Sequence, residues 1–315
     1  MPLQDLNESQ SPEARGLIHK IERFSLHDGP GIRTLVVMKG CPLRCLWCSS
    51  PYTQNTRPEI LYIKSRCLGC GRCISVCPNL AITKAGTGTH VQTDRSRCRG
   101  CGRCADVCPA RARELTGSYV TAEELLKEVD KDAAFYRRSG GGITVGGGEP
   151  TAQTQFVGQF LKLCRQSFFH TAMETSAFTS WENLSSLLPY LNLVYIDLKH
   201  MDEARHIEWT GVSNRIILEN IKKTAGENKL ILRIPVIPGY NDSEQNIVCS
   251  AEFAGGLGDN FLHLELLPYH QLGTHKYEEL ERNYTIASIE PPSDEHILAL
   301  RNIAASFGIK AQIGG

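Results

Sequence analysis

The segment Thr34-Leu35-Val36-Val37-Met38-Lys39-Gly40-Cys41-Pro42-Leu43-Arg44-Cys45-Leu46-Trp47-Cys48 joins an apolar, β-branched run to a loop with three cysteines spaced C-x3-C-x2-C. The run Thr34–Met38 ends at Gly40 and reads as a buried strand. The cysteine loop follows its C-terminal end, where open sites lie in parallel α/β architectures. Three thiolates hold three irons of a 4Fe–4S cube and leave the fourth iron open, whereas ordinary clusters take four cysteines. The competing reading is a structural zinc site or scattered buried thiols. Zinc prefers a fourth protein ligand and paired C-x2-4-C spacing, so the triad points instead to an iron that binds something further.

Outward from this loop, composition changes between Arg57 and Ala112. Cys67-Leu68-Gly69-Cys70-Gly71-Arg72-Cys73-Ile74-Ser75-Val76-Cys77-Pro78 recurs as Cys98-Arg99-Gly100-Cys101-Gly102-Arg103-Cys104-Ala105-Asp106-Val107-Cys108-Pro109, with nine of twelve positions identical. Each copy is the C-x2-C-x2-C-x3-C-P run of bacterial two-cluster ferredoxins, in which the fourth cysteine serves the other cluster. One 4Fe–4S cluster is therefore expected on Cys67, Cys70, Cys73 and Cys108, and a second on Cys98, Cys101, Cys104 and Cys77. The same stretch carries ten Lys and Arg against three Asp and Glu. That excess offsets the clusters' negative charge and also suits an acidic electron donor.

Eleven of the thirteen cysteines fall in these three groups, which is ligand spacing rather than a disulfide framework and implies a reducing, cytoplasmic setting. Cys164 and Cys249 stand alone in apolar, helix-like stretches and read as small core residues. With 315 residues and zero formal net charge, the chain can hold one large and one small domain and makes no electrostatic case for nucleic acid or an anionic membrane. No apolar run reaches the length of a membrane span, and residues 1–15 read as a polar tail without a secretory pattern.

Beyond the insert, helix and strand patterns alternate. A strand is expected at Leu17–Phe24. A capping box at Thr121–Glu124 opens one helix running past Tyr136. Strands follow at Ile143–Val145, Thr171–Thr175, Leu193–Leu198, Leu230–Ile237 and Phe261–Leu267. Helices fall at Phe156–Phe169, Trp181–Tyr190, Ile216–Gly226, Ser243–Gly255 and Asp294–Phe307. Repeated β–α units imply a parallel sheet.

The triad, with His27-Asp28-Gly29-Pro30-Gly31-Ile32-Arg33-Thr34 upstream and Gly146-Gly147-Gly148-Glu149-Pro150, Asp197-Leu198-Lys199 and Leu267-Pro268-Tyr269-His270 downstream, resembles the glycyl radical enzyme activating enzymes of the radical S-adenosylmethionine (SAM) superfamily. The resemblance runs from about Gly16 to the end. It implies an α/β fold: a partial (β/α)6 TIM-like barrel, residues 16–56 and 113–315, with a ferredoxin-like domain inserted at 57–112. It also implies the activity, which is reductive cleavage of SAM to methionine and a 5'-deoxyadenosyl radical that takes a hydrogen from a backbone glycine of a partner glycyl radical enzyme. Cofactors would be SAM and three 4Fe–4S clusters. Partners would be that protein substrate and a flavodoxin or ferredoxin donor, with the chain itself a monomer.

By the same resemblance, Cys41, Cys45 and Cys48 hold the site cluster, and Trp47, Gly147, Gly148, Glu149, Asp197, Lys199, Arg233 and His270 surround SAM. Asp28 meets the substrate's glycine loop, and Glu174, Thr175 and Asp197 contribute to a monovalent cation site. Glu174 replaces the Asp of the type enzyme, and Ser49-Ser50 replace its His-Asn. The residues themselves agree in part. Alternation turns Asp197 and Lys199 to one side of a strand end, and an arginine inside the apolar run Leu230–Ile237 needs a partner. A radical SAM maturase of another peptide is the alternative, although no cysteine follows Cys249, where extra clusters of such proteins tend to lie. A bare electron carrier would need neither the triad nor a barrel.

Overall fold

Period-two alternation sorts the strands into two faces. In the segment Val194–Asp197, Val194 and Ile196 join the helix-covered core, while Tyr195 and Asp197 turn inward. The computed structural model describes residues 14–86, 88 and 90–314, so nearly all of the expected tail lies outside the described residues. β1 (Gly16–Ser25) and β2 (Arg33–Met38) pair antiparallel. The cysteine loop and insert follow, with β3 (Glu59–Tyr62), the short α1 (Arg72–Ser75), β4 (Ile82–Lys84), β5 (Val91–Thr93), the short α2 (Arg103–Asp106) and β6 (Arg113–Thr116). The chain then runs through β7 (Ser118–Val120), α3 (Ala122–Asp130), α4 (Ala133–Ser139), β8 (Gly142–Gly147), α5 (Thr154–Gln166), β9 (His170–Thr175) and α6 (Trp181–Ser185). It ends through β10 (Leu193–Asp197), α7 (Glu203–Thr210), α8 (Arg215–Glu227), β11 (Leu230–Val236), α9 (Glu244–Gly255), β12 (Phe261–Pro268), α10 (Thr274–Glu279), α11 (Asp294–Ala305) and β13 (Ala311–Ile313).

The main sheet has nine strands in the order β13-β12-β11-β10-β9-β8-β2-β1-β7. From β2 through β8 to β13 every neighbouring pair is parallel, and β1 and β7 extend one edge antiparallel. The order has two free ends, so the barrel is partial, as expected. Helices α3, α5, α8, α9 and α11 bury their apolar stripes with the outer strand face in one core.

Two expectations change. The single helix after Thr121 breaks into α3 and α4 at Asp132, whose buried carboxylate accepts from Arg23 and from Thr34 Oγ1 at 2.9 Å. The expected helix Trp181–Tyr190 stops at Ser185 and resumes as a 3-10 turn at Leu188–Tyr190, which contains Pro189. The insert closes at its base, where β6 pairs with β3 along its whole length. It is fastened to the barrel by a buried cluster: Lys39 Nζ donates to Glu59 Oε2 at 2.8 Å, and Arg282 Nη2 to Glu59 Oε1 at 2.6 Å.

Candidate active site and cluster cavities

The cysteine loop leaves the C-terminal end of β2 and is clamped from two sides. Arg44 and Leu46 donate their amides to the Thr210 and Trp209 carbonyls at the end of α7, at 2.8 and 2.9 Å. From the other side, Tyr277 Oη of α10 donates to the Cys48 carbonyl and Lys276 Nζ to that of Ser49, both at 2.9 Å. Neither α7 nor α10 was expected from sequence. The Trp47 indole is buried in an aromatic cluster with Trp209, Tyr240, Tyr269, Tyr277 and Tyr284, which anchors the loop. His270 is exposed at the end of β12.

Burial pushes the Cys41 thiol up to about 12 and that of Cys45 to about 11, and raises Cys48 too. Such thiols become ligands only when a cation or metal compensates their charge. Lys199 is the neighbouring cation. Burial opposes its charge, but Asp197, Cys45 and Cys41 hold its ammonium above the usual lysine range. Its Nζ donates to Asp197 Oδ2 at 2.8 Å, so the structure brings Asp197 and Lys199 to the triad as a pair.

The glycine turn plays a different part from the one its sequence suggests. A Cβ at Gly148 would stand 2.5 Å from the Gly40 carbonyl oxygen, and one at Gly147, where φ is +97°, 2.4 Å from Val37 Cγ1. These glycines press against the root of the cysteine loop, with Glu149 N donating to Gly40 O at 2.8 Å. Glu149 is a correction. Its carboxylate is buried, accepting from Thr151 Oγ1 at 2.8 Å, Thr175 Oγ1 at 2.6 Å and Ser176 N at 2.8 Å. It ties the turn to β9 instead of offering a free acceptor.

Inside the barrel, Arg233 forms the centre of a charged network. Nε donates to Glu265 at 2.7 Å, Nη1 to Glu174, and Nη2 to the His27 carbonyl at 3.0 Å, while the guanidinium stacks 3.8 Å from the Tyr195 ring centre. Three of its five N–H donors are thus occupied. Burial, reinforced by Asp28 and Asp197, pushes the Glu174 carboxyl up to about 7 against the pull of Arg233. The cation set does not assemble. Glu174 faces Arg233, Thr175 points across the strand to Glu149, and Asp197 holds Lys199.

Arg33, which sequence reading did not single out, is fully buried. It fixes the Asp28 loop through Pro30 O at 3.1 Å, Thr144 Oγ1 at 2.6 Å and Ile143 O at 2.6 Å. His27, Gly29 and Pro30 of that loop line an open lumen cavity with Tyr195, Arg233 and Glu265. The Asp28 loop leads into β2 and the cysteines follow it, so the two lie toward opposite ends of the lumen.

The insert holds two smaller cavities. One is lined by Cys67, Cys70, Cys73 and Cys108; the other by Cys98, Cys101, Cys104 and Cys77. Each contains one crossed set of four thiols, around a space rather than a point. Among the described residues, no three such donors converge as a single ion requires. The donor chemistry of all three sites fits iron–sulfur clusters.

The chain matches the description "Radical SAM superfamily" over residues 95–248 and "4Fe-4S dicluster domain" over residues 52–112. It is 43% identical over 281 residues to the isethionate sulfite-lyase activating enzyme of Nitratidesulfovibrio vulgaris, covering 87% of this chain and 90% of that one. It is 37% identical to the indoleacetate decarboxylase activating enzyme of Tractidigestivibacter scatoligenes, over 97% and 99%. A solved domain of a pyruvate-formate lyase-activating enzyme from Bacteroides vulgatus aligns at 34% identity and a TM-score of 0.48, over 56% of this chain and 99% of that domain. The family descriptions and the two activating-enzyme relatives define a radical SAM protein with a ferredoxin-type insert. Within that class, the chain belongs to the glycyl radical enzyme activating enzymes.

Proposed function

We propose that this chain generates the glycyl radical of a partner enzyme, with Cys41, Cys45 and Cys48 as ligands of the SAM-binding cluster. One observation carries the reading: the triad stands apart from the other cysteines. Eight of those line the insert cavities, Cys164 is sealed in the core and Cys249 lies on α9. A triad without a fourth cysteine leaves one iron for SAM, to which the bound cluster supplies one electron.

Around it the chain's own residues orient and shield. Asp197 and Lys199 present a paired charge to SAM's polar end, and Gly147 and Gly148 hold the loop root rigid. Arg233 retains free N–H donors toward the lumen. The partner's glycine segment lies along the lumen, between the Asp28 loop and the cysteine loop. Cys67, Cys70, Cys73 and Cys108, and Cys98, Cys101, Cys104 and Cys77, would hold two clusters that supply an entry for electrons from a flavodoxin- or ferredoxin-type donor, and the enzyme acts as a monomer in a reducing, cytoplasmic setting.

The test is anaerobic incubation of the reduced, reconstituted protein with SAM and a glycyl radical enzyme. The expected products are 5'-deoxyadenosine and an EPR signal of a glycyl radical on the partner. No 5'-deoxyadenosine would end the radical SAM reading. Its formation with no glycyl radical on any glycyl radical enzyme of the classes served by the relatives would favour maturation of another peptide.

A further inference from the structure

The insert repeat is broken at one buried position. Cys77-Pro78-Asn79-Leu80-Ala81-Ile82 in the first copy answers to Cys108-Pro109-Ala110-Arg111-Ala112-Arg113 in the second. Ile82 is a buried core residue, as the repeat would predict for its counterpart. Arg113 takes that counterpart's place with only 2% of its surface exposed.

A charge buried this deeply needs partners. Arg113 has one hydrogen bond, from Nη1 to Thr93 Oγ1 at 2.6 Å, and its guanidinium lies 4.4 Å from the centre of the Tyr62 ring. Its Nε and Nη2 have no partner, and among the described residues no carboxylate forms a salt bridge with it. Arg113 is also the one residue that lines both insert cavities. Its charge bears on Cys73 of one thiol set and Cys104 of the other.

We propose that Arg113 is a cation shared by the two insert clusters: its free N–H groups donate to sulfur atoms of both, and its charge raises both reduction potentials. Hydrogen bonds to sulfur and local charge are among the factors that set such potentials. Reduction adds one negative charge to each cluster, and a buried cation favours the more negative state. The inference rests on the assignment of two clusters to the insert.

The experiment is an EPR-monitored reductive titration of the reconstituted full chain, with Cys41, Cys45 and Cys48 replaced by Ala to remove the third cluster's signal. Iron is measured on each sample. Arg113→Ile should lower the reduction equilibrium constant of both clusters about tenfold, or about 59 mV for a one-electron couple, with about eight irons retained. Should that variant lose iron, Arg113→Gln and Arg113→Lys decide. Lysine keeps the charge but not the planar fork, so its potentials should lie closer to the parent than those of the neutral glutamine variant. Full iron with unchanged potentials, a shift confined to one cluster, or equal potentials in the Lys and Gln variants would overturn the proposal. Fewer than four irons in the parent would instead remove the two-cluster assignment beneath it.

Discussion

Glu174 shows how a residue legible by position can be misread by partner. Family resemblance suggested a cation ligand here, with Glu in place of Asp, but the structure pairs it with Arg233. The partner lies 59 residues away, so nothing local in the sequence announces it. The same holds for Glu149, claimed by Thr175 at the end of β9 and by Ser176 just beyond it. The cysteine triad was legible because ligand spacing is local. Glu174 also has a pH consequence. Its carboxyl is raised to about 7 in the folded state, so the folded state binds the proton more tightly than the unfolded state. Stability from this group is therefore full below the ordinary carboxylate range and is lost as pH rises toward 7. Glu174→Gln should flatten that fall, and thermal unfolding midpoints of variant and parent between pH 5 and 8 will check it. An identical slope in both would remove Glu174 as its source. At the paired site, Asp197→Ala leaves Lys199 buried without its carboxylate. It should weaken SAM binding by about 2–5 kcal/mol with iron content held, as equilibrium dialysis can measure.

Among the elements, the long strands and helices were legible because their periodicity runs for several turns or residue pairs. The short α7 and α10, which clamp the cysteine loop, were not. They carry too few residues for a period to show, and their task is defined by contacts with Arg44, Leu46 and Cys48 far away in the chain. The short β6, which follows the final insert cysteine, was missed for a similar reason and is recognised only by its pairing with β3. The junction between insert and barrel makes its own prediction. Lys39 is fully buried and depends on Glu59, so Glu59→Ala leaves an unpaired buried ammonium. That change should cost about 3–5 kcal/mol, while Lys39→Met with Glu59→Leu should recover most of it. Thermal unfolding of the anaerobic proteins measures both, and a single variant as stable as the parent would discount the pair.

Across the whole molecule, two units share one chain: a partial barrel that carries the cysteine triad, and a dicluster-type insert whose eight cysteines line two cavities. The partial barrel was legible from strand–helix alternation together with family likeness. The way the insert sits on it was not, since Thr93 and Arg95 reach Glu281 across 188 and 186 residues. The insert presents its own surface to solvent, away from the loops that line the lumen. Cys70 and Cys101, one from each thiol set, are exposed, as are Lys64, Arg72, Arg99 and Arg103 around them. An acidic one-electron donor would be steered to that surface, and such steering weakens as salt screens the charges. Replacing Cys70 and Cys101 together by Ala should therefore slow SAM cleavage driven by a reduced flavodoxin, with the largest loss at low salt. With a small-molecule reductant that reaches the site cluster directly, cleavage should survive in part. A double variant that stays folded, binds SAM and turns over at the parent rate with flavodoxin would show that electrons reach the triad by another route. The insert would then be a docking module for the partner enzyme.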